Sequence, residues 1–212
     1  NTDTSEVAFT RLDYDERIGN QGGGISVWGG NLLFHDNLLD HGLMTGISAR
    51  DSSYIEVWNN VSYIGSLGSA TNGSLSYVLD NKLSLEHSLS NPRSHSAIYC
   101  DNATVVSERN IYRGFGRPIR VLGDGTVISK NNAFIGCIRD LHLNANVVFI
   151  DNCFIETSDS SIFNLVGGNI TVRNSIFLND GKELIARWGN QITFEGCAFQ
   201  DFDQNAMEGI EG

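Results

Sequence analysis

Arginine and histidine, the side chains best suited to anion and proton chemistry, are unevenly spread along this chain. Arg93, His95, Arg113, Arg117, Arg120, Arg139 and His142 fall between positions 93 and 142, with Asp140 among them. A guanidinium makes paired hydrogen bonds to carboxylate or sulfate, and an imidazole exchanges a proton near neutral pH. A patch of this composition suits a carboxylated or sulfated polysaccharide. The charge balance points away from nucleic acid: 14 Lys plus Arg stand against 25 Asp plus Glu, a net charge of −11 over 212 residues, which excludes a general phosphate-backbone binder.

Two other groups carry chemistry. Asp101 and Asp124 would serve a glycosidase as acid and base, or acid and nucleophile, if their carboxyls stood roughly 5 to 9 Å apart. Asp in DN and GDG is more often plain turn chemistry. Calcium is a possible cofactor bridging such carboxylates, although no acidic series of fixed spacing accompanies them. His35, Trp58 and His87 offer rings that can stack on sugars or stand as ordinary surface rings.

What must position these residues is a repeat. A nine-residue pattern recurs eight times at steps near 22 residues, as in NLLFHDNLL (31–39), KLSLEHSLS (82–90), TVISKNNAF (126–134) and NITVRNSIF (169–177). Its second place is aliphatic and its fourth mostly apolar, the period of two that marks a strand. The seventh place is Asn37, Asn60, Ser88, Asn110, Asn132, Asn152, Ser175 and Cys197, small polar groups that suit a turn. The ninth is aromatic in the last five repeats: Tyr112, Phe134, Phe154, Phe177 and Phe199. A second strand precedes each pattern, separated by turns such as DNA (101–103) and GDG (123–125). A coil of about 22 residues cannot bury its own apolar face, whereas coils stacked on parallel strands about 4.8 Å apart form one interior and pair every backbone group. Inward amides at the turn can then donate to and accept from the next Asn. A helical solenoid needs longer repeats of period 3.6, and a leucine-rich repeat needs an LxxLxL signature; neither is present.

The alternating strand, then NN or DN, then a small residue and Phe, resembles the parallel β-helix repeat of pectate-lyase-like proteins over about residues 25 to 200. The resemblance implies an all-β, right-handed parallel β-helix of eight to nine coils with an Asn/Ser ladder at one turn. That architecture is shared by polysaccharide lyases, epimerases, glycosidases, tailspikes and adhesins, so it does not decide chemistry. For a lyase or epimerase it implies that a cation or calcium neutralises the sugar carboxylate while a basic side chain removes the α-proton. None of the family's lyase or polygalacturonase signatures occurs here, so the roles come from aligned coils alone. That alignment sets His95 beside Arg117 and Arg120 beside Asp140. Arg120 or Arg117 would hold the carboxylate, His142 or His95 would act as base and Asp140 would orient them, with Arg93, Arg113 and Arg139 as further substrate contacts. The plain alternative is a ladder salt bridge between Arg120 and Asp140, like those expected for Glu108 with Lys130 and Arg173 with Glu195.

The expected domain layout is an incomplete first coil or extension over 1–24, the β-helix over 25–202, and a tail or start of a further coil over 203–212. The one long step places a Gly and Ser-rich insertion at SLGSATNGS (66–74). The chain starts at Asn1 rather than Met, which reads as a mature form or an excised piece. Neither end offers an amphipathic cap, so the expectation is either a segment cut from a longer protein or ends covered by a partner, self-association through coil ends being one form of that. Stacking leaves Cys100, Cys137, Cys153 and Cys197 as free, mostly buried thiols. Of the glycosylation triplets at Asn60, Asn72, Asn102 and Asn169, only Asn72 looks accessible. No apolar stretch approaches the roughly 18 residues of a membrane helix, so no membrane is expected. The reading is an extracellular, secreted or phage-borne segment, lyase- or epimerase-like on a uronate-containing polysaccharide. The alternative is a non-catalytic tailspike shaft, adhesin or filament subunit.

Overall fold

The computed structural model describes residues 3–13, 24–40, 45–63, 66–85, 96–137, 141–155, 161–178, 183–187 and 192–201. Among these the regular structure is all strand, arranged as a parallel β-solenoid with two nine-stranded sheets and one eight-stranded sheet. Sheet 1 runs from Thr4–Ala8 and Asn31–His35 through Thr104–Glu108 and Thr126–Lys130 to Ile192–Glu195. Sheet 2 holds the short strands, from Arg11–Asp13 and Leu38–Asp40 through Val61–Ser62, Lys82–Ser84, Ile111–Arg113 and Ala133–Ile135 to Ala198–Gln200. Sheet 3 runs from Ile25–Trp28 through Thr45–Arg50, Ser66–Thr71, Ser96–Asp101, Arg117–Leu122, Leu141–Asn144 and Ser161–Gly167 to Glu183–Arg187. Each coil visits sheets 3, 1 and 2 in turn, and every strand pair with a given register is parallel, as for Thr104↔Thr126 and Ile111↔Ala133.

Alternation fills the interior. In sheet 1 the second and fourth places point inward, so Ile55, Val57, Val105, Val127, Val147, Phe149, Ile170 and Val172 are buried. The ninth-place aromatics form one stacked column: ring centroids stand 5.2 Å apart for Tyr112 and Phe134, 4.8 Å for Phe134 and Phe154, 4.7 Å for Phe154 and Phe177, and 5.0 Å for Phe177 and Phe199. Where the column begins with Tyr, the facing fourth place is Ser107, whose Oγ lies 2.8 Å from the Tyr112 hydroxyl and satisfies it inside the core.

The turn between sheets 1 and 2 has two residues, the first left-handed and the second facing inward. Asp36, Asn59, Asp80, Asn131, Asp151 and Asn174 have φ between 49° and 57°, a region that Asn and Asp tolerate better than other non-glycine residues. Arg109, with φ 56°, departs from the rule. The inward residues Asn37, Asn60, Asn81, Asn110, Asn132, Asn152 and Ser175 are buried. Each amide oxygen accepts the backbone N–H of the ladder residue one coil earlier, as Asn132 Oδ1 does from Asn110 N at 2.8 Å. Each amide nitrogen donates back to a sheet 1 carbonyl of that coil, as Asn132 Nδ2 does to Ser107 O at 2.9 Å. Cys197 takes the same place, its Sγ lying 3.5 Å from Val172 O.

The third coil corrects the sequence reading. Its ladder residue is Asn81, not Ser88, which lies outside the described residues. Ser76 holds the inward second place where an aliphatic was expected, because the third coil closes tightly there: a Cβ on Gly68 would stand 2.1 Å from Val78 Cγ2 and 2.9 Å from Ser76 Oγ. The long step therefore runs from Asn81 to Asn110, 29 residues, while Asn60 to Asn81 is 21. Residues 66–71, expected as an insertion, form a strand of sheet 3, and the extra length falls in the link 85–95.

Candidate functional site

The outer face of sheet 3 carries a polar row. Tyr99, Arg120, His142 and Asn164 lie in register on four successive strands, adjacent Cα atoms being about 4.8 Å apart as in any parallel ladder. Their neighbours Ile98 and Cys100, Ile119 and Val121, and Leu141 and Leu143 are buried, so alternation turns the polar side chains outward. Earlier coils continue in hydroxyls, with Ser26 and Ser48 oxygens 3.1 Å apart. The face departs from strict alternation at Ala97 and Ile98, both buried, which shifts Tyr99 outward.

Within the row the Arg120 guanidinium lies over the Tyr99 ring at 5.6 Å, an arrangement worth about 0.5–1 kcal/mol at a partly exposed site. Its Nε is buried and has no hydrogen-bond partner. The Tyr99 hydroxyl donates to Asp101 Oδ2 at 3.4 Å. Burial first, and then the Asp101 charge, hold that hydroxyl above its ordinary pKa, with Arg120 opposing.

The structure sorts the expected residues. Arg117, Arg120 and His142 all stand on strands of sheet 3, and Arg120 and His142 lie in register on its outer face. Arg113 does not: it stands on sheet 2, opposite Ser84 and Ile135, across the corner made by residues 114–116. Arg93, His95, Arg139 and Asp140 lie outside the described residues, as does His87. The residue opposite Arg117 is Ser96, and the residue opposite Arg120 is His142 rather than Asp140. The cause of the second shift is a shortened turn. Gly123, Asp124 and Gly125 join sheet 3 to sheet 1 in one coil, whereas Ala145 alone does so in the next, and the ladder step falls from 22 to 20 residues. Counting back from the ladder therefore lands two residues early. Tyr99 and Asn164 were missed as site residues, although their outward place in the alternation was the available signal.

Asp101 and Asp124 stand in neighbouring turns that are linked through Asn102. Asn102 Nδ2 donates to Asp101 Oδ1 at 3.0 Å, and Asn102 Oδ1 accepts the Asp124 backbone N–H at 3.0 Å. Asp124 borders a shallow depression of about 350 Å³ with Gly73, Ser74, Asn102, Ala103 and Thr104. The expected Arg173–Glu195 bridge is present at 2.6 Å, whereas Glu108 pairs with Arg109 rather than with Lys130. All four cysteines are free, Cys100 and Cys137 buried, Cys153 and Cys197 partly so. Asn60 is buried in the ladder, and Asn102 and Asn169 are exposed along with Asn72, so accessibility does not single out Asn72. Among the described residues no group of three or more His, Cys, Asp or Glu side chains is placed to hold a metal ion.

A second ring cluster lies at the sheet 1 edge. His35 stacks on Trp58 with centroids 4.1 Å apart and planes 10° from parallel, so each ring covers the other. Its Nδ1 meets Asp36 Oδ2 at 2.7 Å and its Nε2 meets Glu6 Oε1 at 2.9 Å. No protein-family model, curated protein or solved structure matches this chain.

Proposed function

We propose that this solenoid engages an anionic, uronate-containing polysaccharide along the outer face of sheet 3, with lyase- or epimerase-like chemistry at Arg120 and His142. The observation that carries the reading is the register of Arg120 with His142, together with the buried, unpartnered Nε of Arg120. A sugar carboxylate on the Arg120 guanidinium would place its α-carbon over the neighbouring strand, where the His142 imidazole would act as base. His142 would take the α-proton and the electron pair of that C–H bond would pass into the carboxylate, stabilised by Arg120. In elimination that pair forms the double bond between the α- and β-carbons and expels the glycosidic oxygen from the β-carbon, with the newly protonated His142 or water supplying its proton, to give an unsaturated uronate. In epimerisation water instead returns a proton to the opposite face of the α-carbon and inverts it. Tyr99 and Asn164 would bind flanking sugars by ring contact and amide hydrogen bonds. Such a substrate implies an extracellular or virion-borne protein.

The test is a panel of alginate, pectate and glycosaminoglycans, read by unsaturated-uronate absorbance and by deuterium uptake at the α-carbon. Arg120→Met should weaken binding at least tenfold. His142→Gln should keep binding and lower turnover by roughly 10²–10⁴-fold. Binding without absorbance change or deuterium uptake would remove the enzymatic reading, and absence of binding across the panel would remove the polysaccharide.

A non-catalytic column is the second reading, favoured by the apolar outer face of sheet 2. There Val61, Ile111, Ala133, Cys153 and Ile176 follow one another in the first place and Ile135, Ile155 and Leu178 in the third, apart from Lys82. Light scattering that detects only monomer would count against it.

A further inference from the structure

The outer face of sheet 2 is interrupted at one point. In its third place Arg113, Ile135, Ile155 and Leu178 follow one another on successive coils, but the coil before them has Ser84. On the other side Tyr63 continues the ladder one residue beyond its strand, its N–H donating to Leu39 O at 2.9 Å. A one-carbon side chain between a tyrosine and an arginine leaves a gap, and a depression of about 350 Å³ opens there, at the small end of the roughly 300–1,000 Å³ of ligand pockets. Tyr63, Lys82, Ser84, Ile111, Arg113 and Ile135 line it. Two cations therefore border it in a chain of net charge −11. Ile111 is 39% exposed and Tyr63 43% exposed, so the apolar walls face solvent. Ser84 is the small residue at the floor of the gap, and the depression owes its space to it.

We propose that this depression binds a small carboxylate attached to a short apolar body. The carboxylate would lie between Lys82 and Arg113 above Ser84, with its chain along Ile111, Ile135 and Tyr63. Charge complementarity selects an anion, and the apolar walls select against a fully hydroxylated one. The site is on a different face from Arg120 and His142 and does not rest on the polysaccharide reading.

The test is an amide-shift titration of the isotope-labelled full chain with hexanoate, beside hexanol and galacturonate. Hexanoate should shift signals of Lys82–Ser84 and Ile111–Arg113, with hexanol and galacturonate each binding at least tenfold more weakly. Ser84→Leu supplies the residue type of the rest of the column on a solvent face. It should abolish binding while leaving the unfolding temperature unchanged or higher. Lys82→Met, on the exposed face, should weaken hexanoate at least tenfold and hexanol little. Hexanol binding as tightly as hexanoate, hexanoate binding undiminished by Ser84→Leu or Lys82→Met, or shifts confined to other strands would overturn the proposal. Galacturonate binding as tightly as hexanoate would overturn the apolar part of it.

Discussion

His35 shows how two carboxylates and one ring act on a single side chain. Its hydrogen bond to Asp36 is the largest influence and raises its pKa above the ordinary 6.5, burial opposes, and Glu6 adds to the rise. The same contact lowers Asp36 below 3.8. A raised histidine pKa stabilises the fold fully below the unfolded value and stops doing so as pH climbs through the folded value; a lowered carboxylate pKa stabilises above its unfolded value and fails as pH falls through the folded one. The stability difference between the protein and its His35→Gln variant should therefore be largest between about pH 4 and 6.5 and shrink above that window. Denaturant titrations across pH would show it, and a difference independent of pH would mean His35 is not charged there. Thiol reactivity is a second residue-scale consequence. Burial pushes Cys100 up to about 11 and Cys137 up to about 12, while Cys153 on the outer face is raised less and is only partly buried. At pH 8 a maleimide should label Cys153 before Cys100 or Cys137, as mass mapping would reveal.

At the scale of elements, the ladder couples each turn to the next. Asn110 Nδ2 donates to Val78 O at 2.7 Å and to Asn132 Oδ1 at 3.0 Å, while its Oδ1 accepts from Asn81 N at 2.8 Å. Asn110→Ala leaves buried donors and acceptors on two neighbouring coils unmatched, for a loss of about 3 kcal/mol by chemical denaturation. The aromatic column is a packing device instead. Phe154→Ala removes a ring stacked on both sides and should cost about 3–5 kcal/mol. Aliphatic second places and Asn in the seventh made these elements legible, and the pattern misled where a coil broke it. Ser76 hid the true third coil, while Leu83 and Leu85 imitated a strand one turn late. Lys82 and Tyr63 were legible as residue types, but the gap over Ser84 exists only because three coils are superposed.

For the whole molecule, charge matters more than any pair. A chain of net charge −11 repels a polyanion at long range even if Arg117 and Arg120 attract it locally. Salt screens the long-range part most, the Debye length being about 10 Å at 0.1 M and about 3 Å at 1 M. The association rate for pectate or alginate should thus rise between 0.05 and 0.2 M salt as the dissociation rate rises too, opposite in its first part to a basic polyanion binder. Surface-binding kinetics over that range check it; an association rate that falls steadily would place the polyanion on a surface dominated by cations.

Period and composition alone were enough to specify a stacked parallel solenoid, the inward amide ladder and the unpaired cysteines, because these depend on what each coil must bury and on one spacing between coils. Which residues face each other across coils was decided by turn length. A three-residue link shortened to one moves Arg120 from Asp140 to His142, and the corner at residues 114–116 sends Arg113 to another sheet. Period-two strands reverse or shift every outward contact when a turn gains or loses a residue, and only the folded backbone records where those residues were lost.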